Sequence, residues 1–211
     1  GPGESAEPAA GKLVSFTDDL GQEFELEPPQ RVAAMIGSFA DIWCLAGGKD
    51  TQAAAAGDTW TNFDLGLDQS VADLGSVKEP SLEVLLAARP DFILASVNTA
   101  ADVDLLPTFE AAGIPVAYFE VDDIEDYLRM LDICARLTGC PENYQLYGLQ
   151  VKERAEQAAA RQDGSAPRVL YVRASGSSVK VKNSQGSVLG EMLADLGCVN
   201  VADGEGALLE D

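Results

Sequence analysis

A long helical stretch, residues 122–163, limits most strongly what this chain can fold into. Apolar residues recur there at roughly helical spacing, with acidic and basic residues between them. Gly139–Cys140–Pro141 interrupts the pattern, because glycine suits the end of a helix and proline suits the start of the next. The spacing predicts one helix followed by a second that is longer than most globular helices. Since α/β patterns lie on both sides, we expect this stretch to join two lobes, with a ligand between them.

Short apolar runs alternate with helical patterns before this stretch. A hairpin is predicted around Asp19–Gln22, followed by strands at 31–36, 51–56, 92–96 and 116–120. Helices are predicted at 39–46, with Ser38 as the cap, and at 81–88 and 102–112, while Gly57–Asn62 is predicted to be a polar loop. Such alternation is typical of a parallel sheet with helices on both faces. Ligands of such sheets lie beyond the carboxyl ends of the strands.

The predicted fold class is α/β, with two parallel-sheet lobes joined by a long helix and the second lobe incomplete in this chain. Residues 1–11 are predicted to be a flexible tether or tag remnant, and residues 12–122 the N-terminal lobe. Residues 123–163 form the connection, and 164–211 begin the second lobe. One strand–helix unit cannot bury both faces of a sheet. Either the second lobe is truncated, or a partner chain completes it in a homodimer.

The charge balance argues against one class of partner. Lys and Arg number 14 against 35 Asp and Glu, which gives a net charge of −21. Nucleic-acid binding needs clustered basic residues to neutralise phosphates, so it is excluded as a function. An acidic surface that keeps the protein in solution and an attraction for cationic ligands are both compatible with this charge.

The numbers and spacing of His and Cys indicate whether the chain can hold a metal ion or act as a catalyst. The chain has no His, and its four Cys show no CxxC spacing, so neither a metal site nor a cofactor is predicted. Cys134 and Cys140 flank the helix break and either pair or remain small buried thiols. There is no GxSxG sequence and no glycine-rich phosphate loop, so no catalytic residue is assigned.

Polar and aromatic residues follow several predicted strands and form the candidate ligand site. A helix start next to an aromatic can hold an anionic group, an exposed aromatic can stack on a flat ligand, and hydroxyl or amide groups can donate hydrogen bonds. Each of these candidate residues has an alternative structural role as a helix cap, a loop anchor or a turn residue. The candidates in the first lobe are Ser38, Phe39, Thr59, Trp60, Ser96, Asn98 and Thr99.

Three basic residues in the second lobe complete the candidate site. Arg173, Lys180 and Lys182 fall within ten positions, in a chain where basic residues are scarce. They can neutralise an anionic ferric chelate or the propionates of haem. The alternative is that they protect an exposed strand edge from pairing.

Several segments together resemble a known family. These segments occur in the order and spacing typical of one class of proteins. They are Thr17–Gly21, Pro29–Val32 with Gly37–Ile42, Gly75–Glu83 with Ala88–Ile93, Ala111–Val116 and Gly186–Val201. This class is the substrate-binding proteins of ABC transporters for siderophores, cobalamin and haem. No single segment is a strong signature, but their order and spacing are fairly specific from about Leu13 to the end of the chain.

The resemblance implies a function as well as a fold. Members of this class have two α/β lobes joined by a rigid helix, hold the ligand between the lobes, and deliver it to a membrane permease. Glutamates on the lobe surfaces dock onto the permease, and Glu83 matches the first-lobe glutamate. Ordinary complementarity with a helix dipole is the other interpretation of Glu83. The resemblance also implies an extracytoplasmic location, with a lipoprotein anchor and a removed signal.

Three functions are therefore compared. The first is a binding protein for a ferric siderophore, haem or a corrinoid, with no chemistry of its own. The second is an α/β enzyme that uses Asp58, Asp122 or Asp123 at the strand ends as acid and base, which requires a raised carboxyl pKa. The third is a fragment that does not bind ligand and oligomerises through the incomplete second lobe.

Overall fold

The structure is a computed structural model that describes residues 13–161, 170–173 and 178–181. A hairpin of β1 (Val14–Thr17) and β2 (Glu23–Leu26) precedes a five-stranded parallel sheet. The strands of this sheet are β3 (Val32–Ala34), β4 (Gln52–Ala55), β5 (Ala72–Asp73), β6 (Phe92–Ser96) and β7 (Val116–Phe119). Their order is β5-β4-β3-β6-β7, and all neighbours are parallel. The α/β class with a parallel sheet is therefore confirmed.

Helices connect these strands at short intervals. They are α1 (Gly37–Leu45), α2 (Asp58–Asn62), α3 (Leu82–Ala87), α4 (Ala100–Asp104) and α5 (Leu106–Ala112), with a 3-10 turn at Lys49–Thr51. After β7 come α6 (Ile124–Leu137), a π-helical turn at Tyr144–Leu149 and α7 (Gln150–Arg161). A short antiparallel pair, β8 (Leu170–Arg173) and β9 (Ser178–Val181), follows. No helix within the described ranges has the length and apolarity needed to span a bilayer.

The strands alternate their side chains between two apolar layers because both faces of the sheet are covered. Leu94 of β6 and Phe119 of β7 point into one layer, where they belong to the same core cluster as residues of α1 and α6. The other holds Ile93 and Tyr118 against Leu85 of α3 and Phe109 of α5. The core of the lobe is thus built on two sides of one sheet.

The connecting helix α6 begins and ends as its sequence predicts. Asp123 caps it, because its carboxylate accepts the N–H of Asp126 at 2.9 Å. The helix ends before Gly139, whose φ of +76° is the left-handed conformation that favours glycine at this position. Beyond the break, the predicted single helix begins instead as a π-helical turn before α7.

Four local predictions are corrected by the structure. The predicted loop Gly57–Asn62 contains α2, and the predicted helix 102–112 is divided into α4 and α5 at Leu105. The N-cap residue of α1 is Ile36, so Ser38 lies inside the first turn of the helix and is not its N-cap. Strand β5 was not predicted, because its two residues belong to no apolar run. Of the two alternatives that the sequence left open for Cys134 and Cys140, the structure shows free thiols.

Candidate functional site

The carboxyl ends of the five parallel strands form one edge of the lobe, and the candidate residues lie along it. The chain moves outward from β3 to β4 and β5 on one side, and from β6 to β7 on the other. The point between β3 and β6 is therefore the topological switch point, where α/β sheets usually bind ligands. The segments that follow the strands there are 37–38, 58–62, 96–99 and 120–123.

Helix α2 is fixed to this edge by a contact that only glycine permits. The backbone N–H of Gly37 donates to Oδ1 of Asp58 at 2.8 Å. A Cβ atom on Gly37 would lie 2.8 Å from the backbone nitrogen of Thr59, which is closer than real Cβ contacts. Burial raises the pKa of Asp58, and the Gly37 N–H acts against this rise. Asp58 thus anchors α2 against the start of α1.

Trp60 stands out on α2 because its indole remains accessible. It is 41% exposed, whereas the neighbouring Thr59 is 1% exposed. The Thr59 hydroxyl has no hydrogen-bond partner among the described residues. Trp60 is therefore the residue of this pair that a ligand can reach from outside, whereas Thr59 is buried.

Ser38 and Phe39 are placed differently from the prediction. Both are buried, at 1% and 0% exposure respectively. The Phe39 ring meets Phe119 edge-on, with centroids 6.3 Å apart. The side chain of Phe39 belongs to the core between α1 and the sheet, so neither residue offers a surface to a ligand in this structure.

The segment after β6 brings the next candidates together. The Ser96 hydroxyl accepts the N–H of Asn98 at 3.1 Å, and the side-chain amide of Asn98 donates to Oδ1 of Asp122 at 3.1 Å. Asn98 is exposed and Thr99 is half-buried, while Ser96 is fully buried. Asn98 thus presents its amide at the edge, and Ser96 supports the turn behind it.

The surface after β7 is strongly acidic. Glu120, Asp122 and Asp123 are exposed there, and a hydrogen bond with Asp122, together with its charge, raises the pKa of Glu120. Asp19 from the hairpin turn forms an ion pair with Arg129 at 2.6 Å. This part of the edge therefore presents negative charge, so cations that neutralise an anionic ligand have to come from another part of the chain.

The basic candidates belong to the short strand pair. Arg173 lies on β8 opposite Ser178, and Lys180 lies on β9 opposite Tyr171. Lys182 falls outside the described residues. Their approach to the carboxyl edge of the first lobe stays a prediction.

Glu83 occupies an exposed position on α3. The Ser81 hydroxyl caps this helix by accepting the N–H of Val84 at 3.2 Å. The Ser81 N–H donates to the carbonyl of Leu74, just beyond β5, so α3 begins at the carboxyl edge. Glu83 is exposed near this end of the lobe, where it complements the helix dipole and is accessible to a partner.

The carboxylates considered for an enzyme hold the fold together. Asp58 binds the Gly37 N–H, Asp122 binds Asn98, and Asp123 caps α6. In the described part of the chain, no group of three or more acidic or cysteine side chains is arranged to hold a metal ion.

Sequence reasoning missed two buried carboxylates beside the site. Asp18 is 5% exposed and joins the hairpin turn to β7, and Asp102 is 0% exposed behind the 96–99 segment. Thr99 and Asp102 have the spacing of a capping box, which was the available signal for Asp102. Here, however, the carboxylate binds the N–H of Ser96 instead of that of Thr99.

Comparison with solved structures shows the same fold in known binding proteins. A periplasmic haem-binding protein from Pseudomonas aeruginosa is 23% identical, with a TM-score of 0.56, and the match covers 68% of this chain and 52% of that one. The iron-uptake ABC transporter substrate-binding protein PiuA from Streptococcus pneumoniae is 22% identical, with a TM-score of 0.61 and coverage of 77% and 59%. The petrobactin-binding protein YclQ from Bacillus subtilis is 16% identical, with a TM-score of 0.60 and coverage of 76% and 58%.

The chain spans between half and two thirds of the length of these three structures. Among proteins of curated function, no significant sequence match is found. A family model described as periplasmic binding protein matches residues 32–210, which is most of the chain. The chain therefore belongs to the periplasmic binding protein family, as its sequence segments predicted.

Proposed function

We propose that this protein captures an iron chelate or a related flat ligand outside the cytoplasm and delivers it to the permease of an ABC importer. The single observation that carries this proposal is an exposed Trp60 at the carboxyl edge of a lobe from this family. Indole rings stack on flat conjugated ligands, which include haem, corrinoids and catecholate chelates. The similar structures include a haem-binding protein and a siderophore-binding protein, which supports the same ligand class.

The charge distribution supports different ligand contacts for the two lobes, with stacking and hydrogen bonds from the first and positive charge from the second. The first lobe contributes Trp60 and the Asn98 amide, surrounded by acidic groups. An anionic chelate would be neutralised by Arg173, Lys180 and Lys182 of the second lobe. Glu83 is the proposed permease contact, and a lipoprotein anchor would keep the protein at the membrane. A homodimer completed through the second lobe remains an alternative assembly.

Removal of the Trp60 indole is expected to weaken ligand binding by about 3- to 10-fold, which corresponds to the typical value of one aromatic stacking contact. Haemin, a ferric tris-catecholate and cyanocobalamin are titrated into the whole chain, and their dissociation constants are measured from ligand absorbance. Trp60→Phe should retain part of the affinity that Trp60→Ala loses. Absorbance is preferred to fluorescence because the buried Trp43 also emits.

Leu86→Ala is the matched control for this titration. Leu86 is 41% exposed, like Trp60, but it lies near the end of α3 that points away from the carboxyl edge. Its replacement should leave the dissociation constant unchanged. Unchanged affinity in Trp60→Ala would remove Trp60 from the site, and the absence of saturable binding for every probe would refute the proposed function.

A further inference from the structure

A carboxylate with no access to solvent lies directly behind the candidate site. Asp102, in the first turn of α4, is 0% exposed. Its Oδ2 atom accepts the backbone N–H of Ser96 at 2.9 Å, and its Oδ1 atom has no partner among the described residues. Burial of a half-satisfied carboxylate opposes folding, so its presence calls for a compensating role.

Two hydrogen-bonding steps lead from Asp102 to the exposed surface. The carboxylate fixes Ser96 through its N–H, and the Ser96 hydroxyl accepts the N–H of Asn98 at 3.1 Å. The backbone N–H of Asp102 donates to the carbonyl of Thr99 at 3.0 Å, which closes the segment into one unit. The side chain of Asn98 projects from this unit toward Asp122.

The same residue also ties α4 to the neighbouring strand. The Tyr118 hydroxyl donates to the backbone carbonyl of Asp102 at 2.6 Å. Tyr118 is fully buried on β7, the strand that pairs with β6. Asp102 therefore lies where the end of β6, the start of α4 and the middle of β7 join.

We propose that Asp102 is a positioning residue of the ligand site, which holds the 96–99 segment so that the Asn98 amide is presented to the ligand. This inference rests on the proposed function, because it assigns Asn98 a contact with the bound ligand. Burial, opposed by the Ser96 N–H, raises the pKa of Asp102 to about 7. Asp102 acts through Asn98 and does not itself touch the ligand.

A double-mutant cycle tests the link between the two residues. Dissociation constants for haemin, or for the probe that binds best, are measured for the wild type, Asp102→Ala, Asn98→Ala and the double variant, at a temperature where all are folded by circular dichroism. Asp102→Ala should weaken binding about 10-fold, as expected for a misplaced contact. The double variant should bind no more weakly than Asn98→Ala alone. Asp102→Asn should restore binding, since its amide oxygen can accept the Ser96 N–H.

Asp91→Ala separates a positioning role from a merely structural one. Asp91 accepts the N–H groups of Gln30 and Arg31 at 2.9 and 3.0 Å, at the opposite edge of the sheet. Its replacement should lower the melting temperature and leave the dissociation constant unchanged. Additive effects of the Asp102 and Asn98 substitutions, or wild-type affinity in Asp102→Ala, would overturn the inference.

A ligand-free measurement keeps the inference testable if Asp102→Ala does not fold or if no probe binds. In ¹⁵N spectra, the Asn98 side-chain amide of the wild type should shift with a midpoint near pH 7, and this component should vanish in Asp102→Asn. Asp122 accepts the Asn98 amide and itself interacts with Glu120, and the contribution of these two groups persists in both proteins. The pKa of Tyr118 is raised by burial and lies far above this range. A wild-type amide that does not respond near pH 7 would overturn the link, whereas failure of every probe to bind would refute only the proposed function.

Discussion

Replacement of Asp18 with alanine is expected to lower the free energy of unfolding by about 3–5 kcal/mol, because it removes a buried carboxylate on which four hydrogen bonds converge. Oδ1 of Asp18 accepts the N–H groups of Leu20 and Gln22 at 3.1 and 2.8 Å. Oδ2 accepts the Gln22 side chain at 2.7 Å and the N–H of Tyr118 at 2.9 Å. One side chain thus shapes the hairpin turn and joins it to β7.

Urea unfolding followed by circular dichroism measures this loss. Asp18→Asn keeps one acceptor oxygen, so it should lower the free energy of unfolding by about half as much as Asp18→Ala does. Asp132→Ala is the control, because Asp132 makes only a partly exposed ion pair with Arg136 at 3.7 Å, and its loss should cost less than about 1 kcal/mol. A stability of Asp18→Ala within about 1 kcal/mol of the wild type would contradict this role.

Asp102→Asn is expected to change the pH dependence of stability. The pKa of Asp102 is raised from 3.8 to about 7 in the folded protein, so the folded state binds more protons than the unfolded state between these values. Its contribution to stability is therefore fully present below pH 3.8 and is lost as pH rises through about 7. From about pH 5 to about pH 8, the wild type should lose about 2–3 kcal/mol relative to Asp102→Asn.

The comparison of the two proteins removes the other pH effects. All remaining carboxylates are present in both, and the substitution removes only one of the 35 acidic groups that repel one another. Urea unfolding at several pH values, with the two free energies subtracted, isolates the Asp102 contribution. A difference that stays constant from about pH 5 to about pH 8 would show that Asp102 is charged in the fold throughout this range.

The parts of the fold that the sequence predicted well are those fixed by local patterns. Strand β6 was predicted with its observed bounds, Phe92–Ser96, because a continuous apolar run between a proline turn and polar residues is typical of a strand buried on both faces. The hairpin and α6 were predicted for similar reasons. Their turn glycines and capping residues are part of the same local signal.

The features that were missed depend on contacts distant in sequence. Strand β5 has two residues, and the Leu74 N–H that follows it is bound to the carbonyl of Ala55 on its neighbour. Helix α2 is polar, and its anchoring to Gly37 spans 21 positions. Such pairings leave no periodic pattern in the sequence.

The positions of the candidate residues in the fold were predicted in part, for the same reason, and their contact with a ligand stays a prediction. The predicted direction of the parallel strands identifies their carboxyl edge. Trp60 and Asn98 follow two of these strands, so they were predicted at the edge where such sheets bind ligands. Phe39 was a ligand candidate because it is an aromatic beside a helix start, but its ring packs against Phe119, a contact that joins residues 80 positions apart. Asp102 was missed because a buried carboxylate is recognised only by its surroundings.

The most direct test of ligand binding at the carboxyl edge is hydrogen–deuterium exchange of the whole chain, with and without the probe that binds best. The account predicts slower exchange in segments 58–62, 96–99 and 120–123 when the ligand is bound, because a ligand at the switch point covers them. The opposite edge, at 28–31 and 89–91, should exchange at unchanged rates. Protection confined to that opposite edge, or absent from all three carboxyl-edge segments at saturation, would contradict the site described here.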